Sequence, residues 1–129
     1  MLKGNEVNLG DPRPIRDLLY VEDLAKMYLT VIESNNKEIL GQSINVSTGK
    51  GVSVDELVKK IASRTDFNGT INWRTRPPRP GEVWKIIAAN SKARRLLGWE
   101  PRVMLDEGLD LVTDFWKKKL APERRAQNP

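Results

Sequence analysis

The stretch PIRDLLYVEDLAKMYLTVI, residues 14–32, contains a change in the spacing of its apolar residues. Residues 17–21 form a mostly apolar run, which is typical of a short strand. From Glu22 onward the spacing is helical, and Glu22 and Asp23 lie in the first turn, where acidic side chains are favourable. The apolar stripe of this helix consists of Leu24, Met27, Tyr28, Val31 and Ile32. A short strand that leads directly into a helix predicts an α/β fold.

The same alternation of strands and helices extends in both directions from this stretch. Alternating apolar residues predict short strands over residues 6–9, 43–48 and 71–73. Further helices are predicted after Ser53, which begins a capping box, over residues 91–97, and from Leu105 to Lys119. The sequence therefore predicts a small mixed α/β domain of short strands and about four helices over residues 1–120, followed by a disordered tail over 121–129.

Composition excludes several kinds of site. The chain has 129 residues, of which 39% are hydrophobic, enough for the core of one domain. It contains no cysteine and no histidine, which excludes disulfides, thiolate nucleophiles, iron–sulfur clusters and a Ser–His–Asp triad. The carboxylates are not spaced as metal ligands, so no metal is expected. No apolar run approaches the ~18 residues of a membrane span, and no signal peptide is visible, so we expect a cytoplasmic protein without a membrane partner.

The net charge of +5 is concentrated in one part of the chain. Residues 74–102 contain an excess of arginine and lysine over Glu82 and Glu100, which favours an anionic partner at one place on the surface. A solvated basic surface is the alternative. Nucleic acid is not the expected partner, because Trp73 and Trp116 lie on apolar faces and no nucleic-acid-binding motif is present.

Arg16 is the first candidate binding residue. It follows Pro12 and Pro14 and lies next to a predicted strand, so its guanidinium is positioned for a bidentate contact with phosphate. An ordinary surface ion pair with Asp17 or Glu22 is the alternative.

The second candidate is the loop Arg79-Pro80-Gly81-Glu82. Its prolines stiffen the backbone, so an arginine and a carboxylate here lose little entropy when they bind a ligand. Such a pair can hold a phosphate and a ribose diol together, whereas the alternative is a solvated turn. Asn45, a polar residue within the predicted strand 43–48, is either a structural hydrogen-bonding residue or a ligand contact.

Five motifs occur along the chain in a recognisable order. They are GD at 10–11 with RDLLYVEDLA at 16–25, INVSTG at 44–49, RPGE at 79–82, SKAR at 91–94 with LGWEP at 97–101, and LDEGL at 105–109. In this order the sequence resembles the C-terminal, substrate-binding part of an extended short-chain dehydrogenase/reductase. Those enzymes form the NAD-dependent epimerase/dehydratase family, which acts on nucleotide-activated sugars. The resemblance extends from Leu2 to Lys119.

The resemblance implies a role for each candidate residue. Arg16 and Arg79 match arginines that contact the nucleotide diphosphate in that family. Glu82 matches the acidic position that holds the ribose hydroxyls, and Asn45 matches an asparagine that helps to place the nucleotide. Trp99 matches a structural position and is expected in the core.

The sequence also departs from the family pattern. It contains neither the glycine-rich NAD(P) loop G-x-G-x-x-G nor a Tyr-x-x-x-Lys pair. Tyr20 and Asp23 match positions that serve packing and the start of the helix, so no catalytic residue is expected. The Rossmann domain is expected to be absent, with NAD(P) bound only in that missing half.

The sequence leaves two functions open. The favoured one is the substrate-binding part of a nucleotide-sugar epimerase or dehydratase, which clamps the diphosphate and ribose of its ligand and is not catalytic alone. Its expected macromolecular partner is a chain that supplies the Rossmann domain, or a second copy. The alternative is a stand-alone, non-catalytic module that binds a nucleotide or nucleotide sugar.

Overall fold

Short strands and helices alternate along the chain, as the change of apolar spacing within residues 14–32 predicts. The computed structural model describes residues 1, 4–78 and 80–126, with side chains as far as Ala121. Within them the strands are β1 (Glu6–Asn8), β2 (Ile15–Asp17), β3 (Gly51–Ser53), β4 (Thr70–Asn72) and β5 (Lys85–Ile86). The α-helices are α1 (Val21–Glu33), α2 (Val54–Arg64), α3 (Ser91–Leu97) and α4 (Leu105–Ala126), and a 3-10 turn spans Lys37–Ile39. The predicted fold class is confirmed.

Packing divides the chain into two units, and the first contains residues 1–13, 54–82 and the chain from Asp106 onward. In this unit β1 and β4 lie parallel, with Val7 opposite Ile71. The ladder continues past both strands, because the Leu9 amide donates a hydrogen bond to the Asn72 carbonyl at 2.8 Å. This two-stranded sheet joins the start of the chain to the stretch that precedes the proline-rich loop.

Charged side chains connect α2 to α4 in the first unit. Lys60 Nζ and Arg64 Nη2 each lie 2.9 Å from Asp106 Oδ1, and Arg64 Nε lies 2.6 Å from Asp110 Oδ1. The hydrogen bonds from Lys60 and then from Arg64 lower the pKa of Asp106 below its usual value. Helix α2 also buries an apolar stripe, fully at Val58 and partly at Val54, Leu57, Ile61 and Ala62.

The last helix is longer than the sequence predicts. It continues past Lys119 to Ala126, and its buried face includes Thr113 and Leu120, two helical turns apart. The lysines before Leu120 favour a helix end, but the helix continues beyond them. Residues 127–129 of the predicted tail lie outside the described residues.

The second unit contains residues 14–53 and 83–105, and β2 is the central strand of its three-stranded sheet. β3 pairs with β2 in antiparallel orientation, with Val52 opposite Arg16. β5 pairs with β2 in parallel, with Ile86 beside the same residue. Arg16 therefore lies on a strand that neighbours hold on both sides.

The core of the second unit consists of Met27, Ala93 and Trp99. Trp99 is 6% exposed, which confirms the predicted core position. Gly98 ends α3 at the predicted residue, with a left-handed φ of 61° and an amide that donates to the Arg94 carbonyl at 2.9 Å. The partly buried residues around this core are Leu19, Ile44, Val46 and Leu97.

The strand predicted over residues 17–21 is displaced in the structure. β2 occupies Ile15–Asp17, because the ladders with β3 and β5 are made there, and α1 begins at Val21 rather than at Glu22. The apolar run between them connects strand and helix and does not continue the ladder.

The predicted stripe of α1 is only partly buried. Met27 is buried and Leu24 half-buried, but Tyr28 is 63% exposed and Ile32 is 77% exposed. The buried face instead contains the carboxylate of Asp23 together with Met27, one turn further along. The core of this unit therefore covers the face with Asp23 and Met27, and leaves the apolar side chains of Tyr28 and Ile32 exposed.

The strand predicted over residues 43–48 is not formed within the described residues. The backbone there makes no ladder, although Ile44 and Val46 pack against the core with the alternation that the sequence shows. A strand requires a hydrogen-bonding partner as well as an alternating apolar pattern. Residues 43–48 have the alternating pattern but no partner strand within the described residues.

Candidate functional site

Arg16 is the best-positioned candidate residue. Its side chain is half-buried on the central strand, and its Nη1 atom donates a hydrogen bond to the Ile15 carbonyl at 3.0 Å. The backbone of β2 cannot shift here without breaking ladders on two sides. A guanidinium that is always charged is thus held on a rigid element.

Asp17, the next residue, binds the loop that precedes β3. Its Oδ1 accepts hydrogen bonds from the Thr48 amide at 3.0 Å and the Thr48 hydroxyl at 2.5 Å. Its Oδ2 accepts from the Gly49 amide at 2.9 Å. The sequence offers Asp17 as an ion-pair partner of Arg16, and the structure shows that the Asp17 carboxylate accepts three hydrogen bonds from Thr48 and Gly49.

Asn45 belongs to the same unit as Arg16, and its side chain is exposed. The segment that carries it is fixed two residues later by Ser47, which is buried and donates its hydroxyl to the Ala88 carbonyl at 2.8 Å. The Asn90 side chain donates to the Ser47 carbonyl at 3.2 Å. Asn45 therefore presents an exposed side-chain amide, two residues before a serine that hydrogen bonds hold in place.

The second candidate loop is described only in part. Arg79 lies outside the described residues. Gly81 adopts a φ of +74°, which favours glycine, and Glu82 is half-buried in the first unit. The structure thus places Arg16 and Asn45 together in the second unit, and Glu82 in the first.

Arg13, for which the sequence offered no interpretation, pairs with Asp11. Its Nε and Nη2 atoms donate to the two carboxylate oxygens at 2.9 and 2.8 Å, and its own amide donates at 2.9 Å. Arg74 Nε lies 3.5 Å from Asp11 Oδ2. The hydrogen bonds from Arg13 hold the pKa of Asp11 well below its usual range.

Asp23 is a further residue whose environment sequence reasoning missed. Its carboxylate is buried and accepts from the backbone amides of Arg102 and Val103. An acidic residue in the first turn of a helix is common in sequences. Its burial here depends on a segment about eighty residues further along the chain, so nothing near Asp23 in the sequence predicts it.

The described residues offer neither a metal site nor a membrane-spanning helix. Across the described part of the chain, no three acidic side chains are gathered as a metal ion would require. No helix in that part has the length and apolar character needed to cross a bilayer. The candidate groups are thus an arginine, an amide and a carboxylate, which bind phosphate and hydroxyl groups.

Several solved structures of the same fold are UDP-glucose 4-epimerases. The chain superposes with a TM-score of 0.82 on a UDP-glucose 4-epimerase from Thermotoga maritima solved with UDP-glucose, at 36% identity over 93% of this chain and 37% of that one. It superposes with a TM-score of 0.81 on MoeE5 in complex with UDP-glucuronic acid and NAD, at 27% identity over 92% of this chain and 39% of that one. The fold is therefore that of the extended short-chain dehydrogenases/reductases.

Sequence comparison narrows this class to a family. The sequence model described as GDP-mannose 4,6 dehydratase matches residues 1–112, so the chain belongs to that family of nucleotide-sugar epimerases and dehydratases. A UDP-glucose 4-epimerase from Mycolicibacterium smegmatis is 31% identical over 120 residues, 92% of this chain and 37% of that protein. One from Bacillus subtilis is 31% identical over 114 residues, 88% of this chain and 32% of that protein. The chain spans about a third of the length of the curated relatives it matches.

Proposed function

We propose that this chain is the nucleotide-sugar-binding part of an epimerase or dehydratase and clamps the diphosphate and ribose of its ligand. The observation that carries the proposal is the position of Arg16, half-buried on the central strand of the sheet. Family membership supports the ligand class, because relatives have been solved with UDP-glucose and UDP-glucuronic acid.

Arg16 is suited to a diphosphate for two reasons. Its planar fork of donors matches two phosphate oxygens at once, and its charge does not depend on pH in the physiological range. The ladders on both sides of β2 fix its backbone, so the arginine loses less freedom on binding than one on a mobile loop.

The remaining candidates complete the clamp in this proposal. Arg79 supplies a second positive charge to the diphosphate, and the Glu82 carboxylate accepts hydrogen bonds from the ribose hydroxyls. Asn45 presents an amide that both donates and accepts, which suits the nucleotide. Gly81 lacks a side chain beside Glu82, so a ligand can approach the backbone closely.

The residues of this chain do not fit NAD(P) by themselves. The sequence contains no glycine-rich phosphate loop of the form G-x-G-x-x-G and no Tyr-x-x-x-Lys pair. We therefore assign this chain binding and orientation of the sugar nucleotide, and no redox step. A chain or chain segment that supplies the Rossmann domain is the proposed partner for turnover.

Self-association is the other proposed assembly, and the exposed face of α1 supports it. Val21, Tyr28 and Ile32 lie on one side of the helix and are each more than half exposed. Sedimentation of the purified chain is expected to show species above the monomer that decrease in the variant Ile32→Lys. A monomer at all concentrations would contradict this assembly and leave the ligand assignment standing.

Calorimetric titration with UDP-, dTDP-, GDP- and CDP-glucose tests the function. We expect saturable binding of one of them, lost in Arg16→Gln and in Arg79→Ala. Arg95→Gln is the matched control, since Arg95 is an exposed arginine of α3 in the same unit. Binding that survives Arg16→Gln, or that Arg95→Gln weakens equally, would refute the clamp.

A turnover assay with an added partner chain separates the proposal from the stand-alone module. If a Rossmann-domain chain from a relative is added, the substrate-binding part is expected to support turnover of the sugar nucleotide that it binds. A non-catalytic module would bind the ligand equally well with and without that chain and turn nothing over.

A further inference from the structure

Three hydrogen bonds from one loop converge on the Asp17 carboxylate. The amides of Thr48 and Gly49 and the Thr48 hydroxyl all donate to it. Gly49, which supplies the second of the two amides, adopts a left-handed φ of +73°, a conformation that favours glycine. The loop is therefore an anion-binding turn whose anion is the protein's own carboxylate.

The loop is also closed on itself. The Lys50 amide donates to the Thr48 hydroxyl oxygen at 3.1 Å, so the hydroxyl that binds Asp17 also shapes the turn into β3. Asp17 lies opposite Gly51 in the β2–β3 ladder, directly after this turn. Loss of the carboxylate would leave the turn without the group around which its donors are arranged.

The segment that leads into this loop carries Asn45. Ser47 is bonded to the backbone of Ala88 on one side, and Asp17 binds Thr48 and Gly49 on the other. Lys92 Nζ donates to the Ser43 carbonyl at 3.0 Å and Asn90 Nδ2 to the Ser47 carbonyl at 3.2 Å, so the segment is held on both sides of Asn45. Of these anchors, Asp17 is the one that ties it to the strand that carries Arg16.

We infer that Asp17 is a positioning residue, which fixes segment 45–49 against the end of β2 and so sets Asn45 relative to Arg16. Adjacent residues of a strand point to opposite faces, so Asp17 acts on the ligand through the loop and not by touching what Arg16 touches. This inference rests on the proposed function, in which Arg16 and Asn45 contact the nucleotide sugar.

The variant Asp17→Asn tests the inference with little change of shape. One of the two carboxylate oxygens becomes an NH₂ group, so in either orientation a donor faces a donor of the loop. We expect about tenfold weaker binding of the sugar nucleotide that the wild-type chain binds. Thr48→Val, which keeps both amides and removes only the hydroxyl, is expected to weaken it less. Glu100→Gln, which removes an exposed carboxylate paired with Arg94, is the control without effect.

A double-mutant cycle distinguishes positioning from general destabilisation. If Asp17 acts through the segment, Asp17→Asn has no further effect on affinity once Asn45→Ala is present. Additive losses in the double variant, or unchanged affinity in Asp17→Asn, would overturn the inference.

An NMR measurement makes the test independent of any ligand. In Asp17→Asn the Thr48 and Gly49 amides are expected to exchange faster and the Asn45 side-chain amide signals to shift, with neither change in Glu100→Gln. Unmoved Asn45 signals would overturn the inference. If they move but no nucleotide sugar binds the wild-type chain, Asp17 positions the segment while the proposed function fails.

Discussion

Replacement of Asp23 by alanine is expected to destabilise the second unit strongly. The Asp23 side chain is 1% exposed, and its Oδ2 atom accepts hydrogen bonds from the amides of Arg102 and Val103, both at 2.8 Å. Lys26 Nζ lies 4.0 Å from Oδ1. These contacts tie the segment after Trp99 to the first turn of α1, next to the core.

The magnitude follows from the two hydrogen bonds. A hydrogen bond to a charged group contributes roughly 1.5–3 kcal/mol, so two correspond to about 3–6 kcal/mol. The cost of keeping a carboxylate out of water offsets part of this stabilisation. We therefore expect Asp23→Ala to lower the free energy of unfolding by about 3 kcal/mol. Asp23→Asn keeps an oxygen but no charge, and a loss of about 1–2 kcal/mol is expected. Both are large against a domain stability of about 5–15 kcal/mol.

Urea unfolding followed by tryptophan fluorescence measures the loss. Glu22→Ala is the matched control, because Glu22 lies in the same helical turn but is exposed, and it is expected to change stability by no more than about 0.5 kcal/mol. Hydrogen exchange at the Arg102 and Val103 amides should accelerate in Asp23→Ala. The reasoning is refuted if the alanine variant loses less than about 1 kcal/mol, or no more than the control.

Three further outcomes are expected. Gly51→Ala should lower the thermal midpoint, because a Cβ there would lie 2.5 Å from Ile87 Cδ1 and 2.6 Å from Ile15 Cγ2, and overpacking costs about 1–3 kcal/mol; an unchanged midpoint would contradict the packing. Gly98→Ala should cost about 1–2 kcal/mol in urea unfolding, because its φ of 61° disfavours a side chain; no loss would contradict this strain. The lowered folded-state pKa of Asp106 means that its stabilisation is present above the ordinary value of 3.8 and is lost as the pH falls below it. Asp106→Asn should therefore flatten the acid side of a plot of thermal midpoint against pH, and a parallel curve would refute this.

Elements with complete local signals were predicted closely. Helix α3 occupies the predicted residues 91–97, because Gly98 supplies the left-handed residue that ends a helix. Helix α2 starts directly after Ser53, the predicted first residue of a capping box. In both cases the determining groups lie within a few residues of the boundary, so the sequence alone contains them.

Elements that depend on a distant partner were predicted less well. The strand expected over residues 43–48 has the apolar period but no ladder within the described residues. β2 begins two residues earlier and ends four residues earlier than expected, because β3 and β5 set its register. Apolar spacing reports which side chains seek burial, but it does not report what covers them.

In the candidate site, too, the features with a local signal were predicted and those that depend on a distant segment were not. Arg16 was proposed as a binding residue from the sequence because its prolines and strand context are local, and the structure places it on the central strand. Asp17 and Asp23 were assigned as an ion-pair partner and a helix-start residue, whereas their hydrogen bonds reach Thr48 and Arg102. A carboxylate that organises a distant backbone segment looks, in sequence, like any other acidic residue.

The exposed face of α1 connects the stability of the second unit to its proposed binding role. Its buried core is small, while Tyr28 and Ile32 remain on the surface of the helix that carries Met27. Full burial of a large apolar side chain contributes roughly 1.5–3 kcal/mol, so a partner that covers this face stabilises the unit considerably. The sheet that holds Arg16 belongs to the same unit, so the proposed ligand and the proposed partner would stabilise one folded state. Each must then favour binding of the other wherever the isolated unit is partly unfolded, because linkage between two ligands of one state is reciprocal.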